Sequence, residues 1–323
     1  MPDGKPELSR IIDRLDTAVR DERAEVVAAL MAWPAAIAPK YFYDELGCAL
    51  YAAICQLPEY YPTRTEAALF VSRRDEIAAA MGKGRQFVDL GSCDSRKAQE
   101  WLPYVDPVRY VAVDIATAEM ERALERLAGD LPGVEMVGVA TDFTRGLPLV
   151  DVLDDRPATF FYPGSSIGNF TPEEAVQFLA RIREQCAARP GSGLLIGVDG
   201  KKEKRRLDLA YDDPLGVTAA FNRNVLRHLN RRFGFDFHVE AFGHRGFYAE
   251  ARGRIEMHLQ ALHEHTVKLG TEQRTFQAGE RIHTENSYKY HAEEFEALLA
   301  RAGFRGVRRW SSAAEAYYVF YAT

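Results

Sequence analysis

The run QFVDLGSCDSRK, residues 86–97, decides the fold. QFVDL is a short apolar stretch of strand character. Gly91 breaks it, and DSRKAQEWL (94–102) continues with helical composition. A strand turning through glycine into a helix opens a parallel sheet with right-handed crossovers. The alternation continues downstream. RYVAVD (109–114) reads as a strand, ATAEMERALERL (116–127) as a helix, and VEMVGVATD (134–142) and ATFFYPG (158–164) as strands. TPEEAVQFLARIREQCAA (171–188) reads as a helix with Thr171 as cap and Glu174 three residues on. GLLIGVDG (193–200) is a fifth strand. Helix HAEEFEALLARAGF (291–304), strand GVRRWSS (306–312) and strand AYYVFYA (316–322) close the chain.

Other segments do not follow this pattern. Residues 8–33 have helical spacing and many Ala, Leu, Arg and Glu, which predicts one or two helices. PAAIAPKYFYDELG (34–47) is a proline-containing break, and ALYAAICQL (49–57) a short helix. Thr63 or Thr65 is expected to cap the next helix, ending near Met81. Residues 204–233 read as helical, and 236–268 and 274–290 as β. The expected fold class is therefore α/β: a doubly wound sheet with a second α+β domain. Residues 63–199 plus 291–323 would form the sheet domain. Residues 1–62 plus 200–290, an N-terminal helical part and an insert after the fifth strand, would form the second.

The 323 residues are 47% hydrophobic and 27% charged, a globular profile. No run approaches the ~20 apolar residues of a membrane span. MPDGKPELSR lacks the layout of a signal peptide, so a cytoplasmic location is expected. Cys48, Cys55, Cys93 and Cys186 are scattered without zinc spacing and are expected to be reduced thiols. His263 and His265 have no clear third ligand, so no metal is expected. A net charge of −6 argues against a nucleic-acid partner.

In a doubly wound sheet, ligands bind at the carboxyl ends of the strands. There the sequence places Asp89, then Gly91, where backbone can approach a ligand closely. The second strand ends in Asp114, whose carboxylate can accept from both hydroxyls of a ribose. The third ends in Asp142 and Phe143, an acceptor for an adenine amine and a flank for its ring. Residues 91–96, GSCDSR, are neither the GxGxxG of a dinucleotide site nor a phosphate loop. The three acids suit S-adenosylmethionine (SAM). Further on, RIHTENSYKY (281–290), read as a strand, puts Glu285 and Ser287 on one face. Together they can accept from and donate to a small polar ring.

Six segments have the order and spacing of a known family: PKYFYDELG (39–47), LPEYYPTRTEAALF (57–70), PGSSIGNFTPEEA (163–175), AYDDPLGVTAAFNRNVL (210–226), GRIEMHL (253–259) and IHTENSYKY (282–290). The chain resembles the L-histidine Nα-methyltransferases of ergothioneine biosynthesis. The resemblance implies a class I SAM-dependent methyltransferase that trimethylates the α-amine of histidine to hercynine. It also implies residue roles. Gly91, Lys97, Asp114 and Asp142 would contact SAM. Tyr43 would sit where methyl donor and amine meet, and Tyr60 would position the amine. Asn169 and Tyr211 would hold the substrate carboxylate. Glu285 and Ser287 would take the imidazole, with Met257 lining the pocket. Catalysis would rest on positioning and desolvation, with Tyr43, Tyr60 or a water relaying protons and no strong general base. The expected partner is a small-molecule substrate, and the expected state a monomer. Two departures stand out: Cys93 where the family usually has a second glycine, and Gly200 where a larger residue is common. The competing readings are an Nα-methyltransferase of another amino acid, such as a tryptophan derivative, and a non-catalytic SAM-binding protein.

Overall fold

The computed structural model describes residues 9–15, 22–312 and 314–323. The chain opens with β1 (Ser9–Asp13), α1 (Glu22–Met31), β2 (Ala35–Ala36), α2 (Glu45–Ile54), α3 (Tyr61–Ser72) and α4 (Arg74–Met81). The alternating region follows as β3 (Gln86–Leu90), α5 (Arg96–Gln99), α6 (Leu102–Val105), β4 (Arg109–Asp114), α7 (Thr117–Asp130), β5 (Glu135–Ala140), β6 (Ala158–Tyr162), α8 (Pro172–Ala187) and β7 (Gly193–Asp199). Next come α9 (Lys204–Tyr211), α10 (Val217–Phe233), β8 (Phe242–Ala249), β9 (Arg254–Ala261), β10 (His265–Leu269), β11 (Glu272–Phe276) and β12 (Arg281–Tyr288). The chain closes with α11 (Ala292–Arg301), β13 (Val307–Ser312) and β14 (Tyr317–Ala322).

The large sheet has the order β1-β5-β4-β3-β6-β7-β14-β13. β1 and β3–β7 are parallel, and the β13–β14 hairpin is antiparallel. The order reverses between β3 and β6, so the carboxyl ends of these strands frame the crevice where such folds bind ligands. β3 and β6 are buried at every position, as a sheet covered on both faces requires. A second sheet has the order β2-β12-β9-β8. Its apolar face shares a core with α2, α9 and α10, including Ile54, Leu207, Phe221 and Met257.

The sequence reading needs two corrections here. Ser9–Asp13, expected within a helix of the second domain, is an edge strand of the large sheet, paired in parallel with Met136–Ala140. Ile11 and Ile12 are β-branched and suit a strand. Ile11 also packs over Gly138, where a side chain would crowd it at 3.2 Å. The helix-favouring composition belongs to the residues around α1. The Thr63 or Thr65 cap also fails. α3 begins at Tyr61 with Pro62 in its first turn and no side-chain cap, and a second helix, α4, carries the chain to Met81. Proline is tolerated there because first-turn N–H groups lack intrahelical partners anyway.

The glycine at 200 has a local cause. A Cβ there would strike the carbonyl of Ala316 and crowd the ring of Tyr318. The cap of α8 forms as read: Thr171 accepts from the Glu174 backbone N–H, and the Glu174 carboxylate accepts from the Thr171 N–H at 2.8 Å. Thr171→Ala should therefore cost about 1 kcal/mol of unfolding free energy, measured by denaturant titration. An unchanged midpoint would show that the box adds nothing here.

Candidate active site

One cavity gathers Tyr43, Tyr60, Asn169, Tyr211, Met257, Glu285 and Ser287, residues drawn from six segments of the chain. Its lining mixes phenols, a hydroxyl and a carboxylate with apolar side chains, the character of a small-molecule site. Three local features build it. The turn Ser166–Asn169 presses against β12 through Gly168, where a Cβ would lie 2.9 Å from the Tyr288 carbonyl. This close approach needs glycine and brings Asn169 beside Ser287. The Asn169 amide makes no hydrogen bond among the described residues and is free for a ligand.

The second feature is a β-bulge. β12 pairs with β9 as His283↔His258 and then Glu285↔Met257, so Thr284 is an extra residue. Thr284 is held by its hydroxyl, which donates to the Met257 carbonyl at 3.0 Å and is also bonded to Asn222 Oδ1 at 2.8 Å. The bulge separates His283 from Glu285, which strict alternation would have put on one face. His283 instead packs on His258 with ring centroids 5.1 Å apart, while Glu285 and Ser287 turn into the cavity.

The third feature is an aromatic wall. Tyr43, Tyr51, Tyr60 and Tyr211 form a chain of edge-to-face pairs, and Tyr43 also meets Phe221 edge to face, with centroids about 6 Å apart. Burial pushes the Tyr43, Tyr51 and Tyr60 phenols well above their ordinary range. They stay protonated at neutral pH, so they act as donors and cation-facing rings rather than as strong bases.

Glu285 is only 9% exposed and has no side-chain hydrogen bond among the described residues. Burial raises its carboxyl to about 7, with the charge of Lys289 working in the other direction. A buried carboxylate without a partner is costly, so its place in the wall of a cavity marks where a ligand N–H is received. Ser287 is differently placed. Its Oγ accepts from Tyr211 Oη at 3.0 Å and from Lys289 Nζ at 3.0 Å. Lys289 was not singled out in the sequence. It is fully buried and paired with Asp199 at 2.8 Å. Asp199 in turn accepts from Tyr61 and Lys202, each at 2.5 Å. Asp199 was not singled out there either; burial is what gives both residues weight.

The residues expected to meet SAM lie at the strand ends beside this cavity. Gly91 has φ 72°, and the ring of Phe143 lies 3.7 Å from where its Cβ would be. The Asp114 carboxylate accepts from the Cys93 N–H at 2.8 Å and the Ala116 N–H at 2.9 Å, which fixes it and leaves outward lone pairs on both oxygens. Asp142 faces Lys40 and Arg145 at 3.7 and 3.6 Å. Lys97 pairs with buried Glu66 at 2.7 Å, and that carboxylate also accepts from the Gly164 N–H and from Tyr317. Glu66 therefore holds Lys97 beside Gly164, in the cavity wall. A fixed acid with free lone pairs, an open glycine turn and a flanking ring fit a nucleoside, and Lys97 fits the carboxylate end of SAM. Bound SAM supplies an electrophilic methyl on a sulfonium. Cys93 adopts φ 46°, and its thiol lies against that of Cys48 in α2.

The topology and the strand-end acids define a class I, SAM-type methyltransferase with a polar cavity beside the cofactor crevice. A family model described as histidine-specific, SAM-dependent methyltransferase matches residues 22–323, and the chain belongs to that family. A histidine N-alpha-methyltransferase of Mycolicibacterium smegmatis is 39% identical, covering 93% of this chain and 94% of its own length. Ergothioneine biosynthesis protein 1 of Neurospora crassa is 28% identical over 83% of this chain and 31% of its own. A 4-dimethylallyltryptophan N-methyltransferase of Arthroderma benhamiae is 26% identical over 89% of this chain and 88% of its own. Among the described residues, no helix is long and apolar enough to cross a membrane.

The raised Glu285 has a consequence for the ligand-free protein. A carboxyl whose pKa rises on folding binds its proton more tightly in the folded state. Its contribution to stability is therefore present below about 4.5 and is lost as pH climbs to about 7. Glu285→Gln should flatten this loss by up to about 3 kcal/mol, read as unfolding free energy across that pH range. Equal pH slopes in variant and parent would refute the raised pKa.

Proposed function

We propose that this enzyme transfers methyl groups from SAM to the α-amine of L-histidine, three in succession, giving hercynine, the first step towards ergothioneine. The observation that carries the reading is Glu285: a buried, unpartnered carboxylate two residues from a hydroxyl, on one wall of the cavity. Glu285 accepts the imidazole N–H, and Ser287 donates to the other ring nitrogen. Asn169 and Tyr211 take the α-carboxylate. Tyr60 positions the amine, and Tyr43 stands where amine and methyl meet. The tyrosine faces suit the growing cation. Because the phenols remain protonated, a water relays the proton lost before each transfer, and the rate comes from alignment and desolvation.

In this reading residues 63–199 with 291–323, joined by Ser9–Asp13, hold SAM. The rest of 1–62, with 200–290, holds the amino acid. Tyr43, Gly91, Lys97, Asp114, Asp142 and Phe143 contact the cofactor. The enzyme works in the cytoplasm as a monomer, without nucleic-acid or membrane partners. A second reading, an Nα-methyltransferase of a tryptophan derivative, draws on the fungal relative. It fits less well, because indole has an N–H for Glu285 but no ring acceptor for Ser287.

Incubation with SAM and each of the twenty amino acids should give a gain of three methyl groups on histidine by mass spectrometry. Methylation of tryptophan but not histidine would select the second reading. Glu285→Ala should raise the histidine KM by well over tenfold and leave SAM affinity nearly unchanged; an unaltered KM removes the imidazole role.

A further inference from the structure

Lys289 lies directly behind the substrate-facing hydroxyls. Its side chain is completely inaccessible to solvent, and so is that of Asp199. The ammonium has three N–H groups and three acceptors: Asp199 Oδ2 at 2.8 Å, Tyr211 Oη at 3.0 Å and Ser287 Oγ at 3.0 Å. Burial opposes its charge, yet Asp199 and Tyr211 hold it above the ordinary lysine range, so it stays an ammonium. Asp199 is kept ionised against burial by Lys289 and Lys202.

An ammonium has no acceptor, so it dictates the polarity of what it touches. It takes one lone pair from each hydroxyl. Ser287 Oγ also accepts from Tyr211, which fills its second lone pair and leaves its own hydrogen for the cavity. Tyr211 accepts from Lys289, so its hydrogen lies away from the ammonium: on Ser287 in the ligand-free protein, and on a substrate oxygen when one is bound, with Lys289 then still occupying one Ser287 lone pair. A neutral hydroxyl pair would be free to accept or donate. This pair is biased to donate.

We infer that Lys289, held by Asp199, is a positioning residue for the reaction, fixing Ser287 and Tyr211 as hydrogen-bond donors toward the amino-acid substrate. The inference rests on the histidine reading of the cavity. It assigns complementary demands to its walls: Glu285 requires a donor from the ring, and Ser287 favours an acceptor. Neutral imidazole meets both, in one tautomer for a given ring orientation. Lys289 touches no substrate atom and acts only through the two hydroxyls.

The test is a double-mutant cycle on the full-length enzyme, with histidine KM, kcat and SAM Kd measured for Lys289→Met, Ser287→Ala and the pair. Each single variant should raise the histidine KM about tenfold or more, and the pair should be no more than about twofold worse than the poorer single, with SAM Kd within about threefold of the parent. Multiplying effects, or SAM binding lost in parallel, would show that Lys289 merely supports the fold. Should Lys289→Met not fold, the cycle runs in the Asp199→Asn/Lys289→Met background, which removes both charges together. A measurement on the unaltered enzyme stands beside it. L-3-(pyrrol-2-yl)alanine and L-3-(pyrrol-3-yl)alanine keep a ring N–H and lose the ring acceptor. The tighter of the two should bind at least tenfold more weakly than histidine to the parent, and within about threefold of histidine to Ser287→Ala. Binding to the parent as tight as histidine's overturns the donor assignment. Absence of histidine methylation by the parent instead sinks the proposed function, before any variant is compared.

Discussion

The buried pair Asp199–Lys289 is the contact on which the site depends. Asp199 ends strand β7 of the large sheet, and Lys289 follows β12 of the small one. The backbone joins at the same place, with the Tyr290 N–H donating to the Asp199 carbonyl at 3.2 Å. Two charges removed from water are expensive unless paired and fully hydrogen-bonded. Here Tyr61, Lys202, Tyr211 and Ser287 complete the bonding. The arrangement tolerates little displacement, so it holds the strand that carries Glu285 and Ser287 in register with the sheet that carries the cofactor crevice.

Around this junction, three buried carboxylates do different work because their surroundings differ. Glu66 is satisfied by Lys97, Tyr317 and the Gly164 N–H and is structural, reaching the cofactor side through the lysine it holds. Asp114 is fixed by two backbone N–H groups and keeps outward lone pairs. Glu285 has no partner and is raised by burial. Residue type alone does not distinguish them; the count of donors around each does.

The cavity's shape comes from backbone irregularities rather than regular strands and helices. The bulge at Thr284 sets Glu285 and Ser287 against Met257 while sending His283 to the other face. Gly168 lets the Ser166–Asn169 turn lie against β12. Cys93, in left-handed backbone, meets Cys48 and so turns its thiol toward α2. Each device changes where a side chain points without changing the element it sits on.

Much was readable in the chain itself. The alternation from Gln86 to Asp199, the Thr171–Glu174 cap and the strand-end positions of Asp114 and Asp142 follow from periodicity and local hydrogen bonding, which depend on near neighbours. The motif residues Tyr60, Asn169, Tyr211 and Glu285 were also legible, through their resemblance to a family. Other features were not. Ser9–Asp13 becomes a strand only because β5 offers it an edge and Gly138 offers Ile11 room. Pro62 starts α3 where a threonine cap was expected. Lys289 and Asp199 carry no mark in the sequence of being buried together. Sequence determined which segments pair and fold locally, because those choices are made between neighbours a few residues apart. Tertiary structure alone decided which charges are buried together and which hydroxyls lie against the buried ammonium, because burial and pairing across 90 residues of chain have no local signature.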